Sequence, residues 1–206
     1  MWTRTTQPQR LGGTISVWED ALDPAVLVAI TAYGDQLAQG KALVADKRDG
    51  ERSTAHRITE VAWYMQNDET LPFYQSLSEI VLELNARFYQ YDLWGLENFQ
   101  YTVYHGAEGG HYDWHIDNGD HTEQPRKLSL SLQLSDAGDY DGCDLEVYGS
   151  SRVDVAPRKR GTIIAFPSFA LHRVTPITRG RRKSLVCWVS GPSSGKQVFS
   201  FALYTD

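Results

Sequence analysis

Leu128-Ser129-Leu130-Ser131-Leu132-Gln133-Leu134 decides how the chain is read. Apolar and polar residues take turns in it, as on a half-buried β-strand. It is one of eight short strand-like runs, the others at 99–105, 110–116, 143–148, 153–156, 162–166, 172–176 and 183–190. Polar, glycine-containing connectors separate them, among them Ser135-Asp136-Ala137-Gly138-Asp139-Tyr140-Asp141-Gly142 and Pro157-Arg158-Lys159-Arg160-Gly161. Eight short strands at this spacing predict an antiparallel sandwich or barrel.

Upstream the pattern changes. Gly13 to Trp18 reads as a first strand, and Asp23-Pro24 as an N-cap followed by proline in the first turn of a helix running to about Gln39. The charged run Asp46-Lys47-Arg48-Asp49-Gly50-Glu51-Arg52 reads as a solvated loop, and the stretch from Arg48 to Ser53 is the candidate lid. A strand follows over residues 57–65. Then Leu71, Phe73, Tyr74, Leu77, Ile80, Val81, Leu84 and Phe88 recur at helical spacing. The expectation is one domain over residues 1–206, mainly β with flanking α-helices. Residues 1–95 would supply helical support and outer strands, 96–192 the β core and 193–206 a C-terminal strand.

Composition bounds the function. Twenty Lys plus Arg against 26 Asp plus Glu leave a net charge of −6, which disfavours non-specific attraction to nucleic acid or anionic lipid. No apolar run reaches the ~18 residues of a membrane span, and the first residues lack the apolar centre of a signal peptide, so a cytoplasmic location with no membrane partner is expected. Cys143 and Cys187 are too few for a disulfide scaffold or a zinc site. Both are expected to be reduced, Cys187 the more buried.

His105, His111, His115 and His121 crowd into a short stretch with Asp113, Asp117 and Asp120. Residues two apart on a strand share a face, so His115 and Asp117 would aim an imidazole and a carboxylate at one point. His111 and Asp113 satisfy the same parity, and parity does not choose between the pairs. His172, the only histidine after position 121, is the candidate second imidazole. Two histidines and a carboxylate on one face of an ion leave positions open, as in non-haem Fe(II) oxygenases. Downstream, Arg182 and Ser184 share a strand face, a pairing suited to one end of a dicarboxylate.

Taken in order, these motifs resemble the 2-oxoglutarate- and Fe(II)-dependent dioxygenases, specifically their prolyl 4-hydroxylase-like branch. They are Tyr104, Tyr112-Asp113-Trp114-His115-Ile116-Asp117, the stretch from Arg126 to Ser135, Tyr140-Asp141-Gly142-Cys143-Asp144-Leu145, Phe166-Pro167-Ser168, His172-Arg173-Val174-Thr175-Pro176 and Gly180-Arg181-Arg182-Lys183-Ser184. The resemblance covers about residues 95–192. It implies a double-stranded β-helix, the jelly roll also seen in cupins, and it favours His115 and Asp117 over His111 and Asp113. It further implies iron held by His115, Asp117 and His172, and 2-oxoglutarate bound by Arg182 with Tyr104 and Ser184 beside it. Tyr112, Arg126 and Trp188 would contact the substrate, with O₂ consumed and ascorbate as an accessory reductant. The chain departs from the family in having Cys143 where a second glycine is common, a slightly longer stretch between Tyr104 and His115, and Arg182 where many prolyl hydroxylases use lysine.

Other residues have plainer readings. His105 and His121 read as exposed loop residues, Trp114 as packing on the face opposite His115, and Arg179, Arg181 and Lys183 as a solvated basic edge. The function expected from the resemblance is hydroxylation of a prolyl residue in a protein or peptide, with release of succinate and CO₂. The alternatives are a hydroxylase of a free amino acid or natural-product intermediate, and a non-catalytic cupin-like binding module.

Overall fold

The structure, a computed structural model, describes residues 6–42, 44–45, 52–53, 56–118, 125–149 and 151–192. In chain order the elements are β1 (Gln9–Leu11), β2 (Ile15–Trp18), α1 (Pro24–Gln36), β3 (Gly40–Lys41), β4 (Val44–Ala45), β5 (Arg52–Ser53), β6 (Arg57–Ile58), β7 (Glu60–Tyr64) and α2 (Leu71–Leu84). The β-rich part follows with β8 (Gly95–Leu96), β9 (Phe99–His105), β10 (His111–His115), β11 (Arg126–Gln133), β12 (Tyr140–Gly142), β13 (Leu145–Tyr148), β14 (Val153–Val155), β15 (Ile163–Pro167), β16 (His172–Val174) and β17 (Ile177–Ser190).

One sheet runs β1-β2-β15-β11-β17-β9-β7-β3, with β8 and β12 also bonded to β17, and a second runs β14-β13-β16-β10-β6. The pairings within both are antiparallel. The candidate lid belongs for the most part to residues 46–51, outside the described residues, as do His121 and the expected C-terminal strand. Among the described residues no helix is long and apolar enough to cross a membrane.

The first helix begins where its cap predicts. Asp23 Oδ1 accepts the Ala25 backbone N–H at 2.7 Å and Pro24 occupies the first turn. Leu37 is already extended, so α1 stops short of Gln39. In α2 the buried residues are Phe73, Tyr74, Leu77, Ile80, Val81 and Leu84, the stripe that its spacing predicts. A single π turn, Asn85–Tyr89, carries the chain off the helix and ends at Gln90 in the left-handed region.

Three neighbouring strands, β11, β17 and β9, set up the site through their period of two. Leu128, Leu130 and Leu132, then Leu185, Cys187 and Val189, then Phe99, Tyr101 and Val103 pack into the core that α2 covers. The alternate residues Gln100, Thr102, Tyr104, Ser131, Arg182, Ser184 and Trp188 turn toward the second sheet and line a cavity. Truncating one of those core leucines to alanine costs about 2–5 kcal/mol, so the floor of the cavity is held rigidly from behind.

Several boundaries differ from the sequence expectation. Residues 57–65 split into β6 and β7, which belong to different sheets. β17 begins at Ile177 rather than 183, and β12 forms inside what reads as a connector. The reason is Gly180: its φ is +76°, and a Cβ there would sit 1.9 Å from the Asp139 carbonyl oxygen, so only glycine lets β12 lie against β17. Cys143 sits at φ 56° and donates its backbone N–H to the Pro176 carbonyl, so the following strand starts at Leu145. Both cysteines are free and both are 1% exposed, so Cys187 is buried as expected and Cys143 is buried as well.

Candidate metal centre and cosubstrate cavity

Register creates the centre. β10 and β16 pair with His115 opposite His172, which places the two imidazoles side by side with ring centroids 4.1 Å apart. Asp117 lies just beyond the end of β10. Its backbone N–H donates to the Ser168 carbonyl at 2.9 Å and its Oδ2 accepts from the Ser129 hydroxyl at 2.7 Å. Those bonds, not strand parity, hold the Asp117 carboxylate beside the imidazoles. His115 Nε2 stands 3.7 Å from Asp117 Oδ1 and His172 Nε2 3.4 Å from Oδ2, and one ligand atom from each of the three lies within 4.8 Å of the others.

The protonation pattern suits a cation. His115 Nδ1 is 2.7 Å from the Asp113 carbonyl and His172 Nδ1 is 2.9 Å from the Ala170 carbonyl. A carbonyl accepts only, so each Nδ1 carries the hydrogen and each Nε2 is left as a lone-pair donor. Burial and the neighbouring His172 push His115 down to about 3 despite the Asp117 carboxylate. Burial works to raise the Asp117 carboxyl, but His172, His115 and the Ser129 hydroxyl hold it below the usual carboxylate range. Two imidazoles that present Nε2, with one carboxylate, are a donor set for Fe(II), Mn(II) or Zn(II).

The rival pair is excluded by geometry. Asp113 is exposed and its Oδ1 accepts the Trp114 backbone N–H, while His111 Nδ1 lies 3.0 Å from the Gly109 carbonyl. His105 is on β9 rather than in a loop, its Nε2 2.9 Å from Glu60 Oε2. Trp114 packs on the outer face under Arg173, opposite His115. The basic edge is partly neutralised, with Arg179 on Asp141 and Lys183 on Asp35.

The cavity next to the triad holds about 280 Å³, near the lower end of small-molecule sites. At one end is Arg182, 1% exposed. Its Nε and Nη2 donate to Gln133 Oε1 at 3.1 and 2.9 Å, its Nη1 has no hydrogen-bond partner, and among the described residues no carboxylate pairs with it. The hydroxyl of buried Tyr140 is likewise without a partner. The Arg182 guanidinium lies 5.7 Å from the Tyr104 ring. Ser184 lines the same wall with its hydroxyl 2.6 Å from that of Thr102. Two orphaned buried polar groups, one cationic, fit the distal carboxylate of a 2-oxo diacid. Cys143 is close by, its thiol pushed up by burial, hence neutral.

At the other end Tyr112 stacks on His115 with ring centroids 3.5 Å apart. Arg126 lies 4.0 Å over the Trp188 ring and makes a forked pair with Glu97, Nε at 2.9 Å and Nη2 at 2.7 Å from Oε2. Sequence reasoning named Tyr112, Arg126 and Trp188 here, and it missed Glu97, Ser129, Gln133, Tyr140, Gln100, Arg57 and Trp63. Ser129 and Gln133 alternate along β11 and Gln100 faces the cavity from β9, so strand parity carried a signal for them. Arg57 carried none, because its place depends on the pairing of β6 with β10.

The comparisons agree with this geometry. Residues 99–190 match the family model of the 2OG-Fe(II) oxygenase superfamily. A PKHD-type hydroxylase of Herminiimonas arsenicoxydans is 30% identical over 174 residues, covering 77% of this chain and 75% of that protein. One from Acidovorax ebreus is 38% identical over 105 residues, an alignment spanning 46% of that protein. In fold the chain is similar to a Pseudomonas putida prolyl-4-hydroxylase, with a TM-score of 0.67, 20% identity and 88% and 94% of the two chains covered. It is similar also to a Trichoplax adhaerens prolyl hydroxylase solved with a hypoxia inducible factor peptide fragment, with a TM-score of 0.70, 16% identity and 87% and 84% covered. The two packed sheets are thus the double-stranded β-helix that the motifs implied, and the superfamily works with Fe(II), 2-oxoglutarate and O₂. With sequence, fold and a His-Asp-His cluster in accord, this chain belongs to the 2-oxoglutarate- and Fe(II)-dependent oxygenase superfamily, alongside the PKHD-type hydroxylases.

Proposed function

We propose that the chain hydroxylates a prolyl residue of a protein or peptide. His115, Asp117 and His172 hold the iron, and Arg182, with Tyr104 and Ser184 beside it, receives the distal carboxylate of 2-oxoglutarate. The observation that carries this reading is Arg182, a fully buried guanidinium with a free Nη1 in the cavity that His115, Asp117 and His172 also line. A passive jelly roll has no use for an uncompensated buried charge, which costs several kcal/mol by the usual order of magnitude. When bound, the metal, 2-oxoglutarate and O₂ supply the oxidising power for an unactivated C–H bond, with succinate and CO₂ released.

The side chains do the rest. Gln133 orients Arg182, its own amide nitrogen donating to the Pro157 carbonyl at 3.2 Å. Ser129 holds Asp117 in a fixed rotamer. Tyr112 and Trp188 form apolar walls for the substrate ring, and Arg126 is locked over Trp188 by Glu97. Positioning by these groups decides which carbon reacts. The two free, buried thiols support a reducing, cytoplasmic setting.

Anaerobic titration with Fe(II) and 2-oxoglutarate tests the site through the weak visible charge-transfer band of their complex. The band is expected in wild type and lost in His115→Ala and Arg182→Ala. Its absence from folded wild-type protein overturns the oxygenase assignment of these residues. Proline-containing peptides scanned for a mass gain of 16 test the substrate class; turnover only with non-peptide substrates overturns that part.

A further inference from the structure

We propose that Arg57 is a second anion-binding residue of this cavity and that it takes a carboxylate of the substrate next to the carbon that is oxidised. This deepens, and rests on, the hydroxylase reading above. Arg57 lines the same cavity as the His115, Asp117 and His172 cluster and is 8% exposed. Its Nη2 donates to the Gln100 amide oxygen at 2.8 Å, a neutral acceptor, and its buried Nε has no hydrogen-bond partner. Among the described residues no carboxylate pairs with it. Asp117, the one acid among the described residues that line the cavity, is committed to the imidazoles and Ser129, and Glu97 is committed to Arg126 and Ser190.

Charge balance isolates this residue. Arg126 is neutralised within the protein by Glu97. In the reading above, Arg182 is neutralised by one carboxylate of 2-oxoglutarate, and the divalent iron by Asp117 and the other. Arg57 is then the one cation lining the cavity, among its described residues, that is left without a counter-charge, and a buried guanidinium in that state favours a ligand carboxylate over any neutral group.

Position gives the charge a purpose. Arg57 is paired in register with Tyr112, its guanidinium lies 4.5 Å over the Tyr112 ring, and that ring stacks on His115. An anion on the Nε edge of Arg57 is therefore separated from His115 of the metal cluster by little more than the Tyr112 ring. The half-exposed Trp63, in register with Gln100, stands 6.1 Å from Trp188, and the two give an aromatic wall for an aliphatic ring. The ligand these features describe has a compact apolar ring with a carboxylate nearby. The α-carboxylate of a free cyclic amino acid and an acidic side chain beside proline in a peptide both supply it.

Matched probes separate the sources and test the residue. L-proline is compared with L-prolinamide, and acetyl-Glu-Pro-Ala-amide with acetyl-Gln-Pro-Ala-amide, on holoenzyme by anaerobic calorimetry and then by succinate release and the 16 mass-unit gain. The expected result is a preference of about tenfold or more for the carboxylate member of one pair, seen in Kd and KM rather than kcat. It disappears in Arg57→Gln, persists in Arg57→Lys, and leaves 2-oxoglutarate affinity unchanged. Equal binding within both pairs, a preference that survives Arg57→Gln, or loss of 2-oxoglutarate affinity in that variant overturns the proposal. Hydroxylation without charge preference fails Arg57 and keeps the hydroxylase reading; charge preference with no oxidised product does the reverse.

Discussion

Arg126 and Arg182 stand on neighbouring strands and reach into one cavity, yet the part-buried charge of the first and the buried charge of the second are met in opposite ways. Arg126 is closed off by a forked ion pair with Glu97 and covered on one face by Trp188. Arg182 meets no carboxylate among the described residues; it donates to the amide oxygen of Gln133, and its Nη1 has no hydrogen-bond partner. A protein that neutralises a buried charge internally uses it as a strut, whereas one that leaves it open has reserved it for a ligand. The two sheets show a parallel contrast. The smaller one brings together the two imidazoles of the cluster by register, and the larger one contributes the polar wall by alternation.

The sharpest way to break the comparison is to remove the open charge. Arg182→Ala is expected to weaken 2-oxoglutarate by about 100-fold or more, the loss of a doubly hydrogen-bonded charge pair, with Arg182→Lys recovering part of it. Anaerobic titration reads this, and a loss under about threefold would remove Arg182 from the cosubstrate site. Removing the closed charge should show in stability instead. Arg126→Ala strands Glu97 and is expected to cost about 1–3 kcal/mol in denaturant melts while changing 2-oxoglutarate affinity by less than about threefold.

Trp188→Ala separates the two ends of the cavity further. Substrate turnover and the coupling of succinate to product should fall more than 2-oxoglutarate affinity does, and equal losses would end that division of labour. Smaller again is Tyr140→Phe, which deletes an unpartnered buried hydroxyl. Stability should hold or rise, while 2-oxoglutarate weakens by about three- to tenfold if that hydroxyl meets the carboxylate.

The smallest effect belongs to a pair outside the cavity. Lys183 bonds to Asp35, whose carboxyl is held below 3.8 by Lys183 and Tyr101 against a rise from burial. A lowered folded pKa means that the pair's contribution is complete above pH 3.8 and fades as pH drops through the folded value. Lys183→Met should cost about 0–1 kcal/mol at neutral pH and flatten the acid limb of a stability profile.

Much of this site is written locally. His115 and Asp117 are two residues apart, and Arg182 and Ser184 share one face of one strand, so a short stretch carries each pair. Leu128 to Gln133 announces β11 by alternation, and Leu71 to Leu84 announces α2 by its stripe. The weaker places are those where a distant backbone intervenes. Residues 57–65 read as one strand because nothing local tells that Ile58 pairs with His111 while Val61 pairs with Thr102. β12 reads as a connector because its partners in β17 are 35 or more residues away and the pairing depends on Gly180.

Residue order thus determined the kinds of group available, their spacing and the faces they share, since alternation and helical period act over a few residues. Tertiary structure decided the rest. It set His115 opposite His172, in line with the choice over His111 that the motifs favoured and strand parity left open, and it pinned Asp117 past the strand end with Ser129 and Ser168. It closed Arg126 with Glu97 and left Arg182 and Arg57 open. Counter-charge and register are properties of elements far apart in the chain, so only their packing could settle which cation is paired with a carboxylate and which is not.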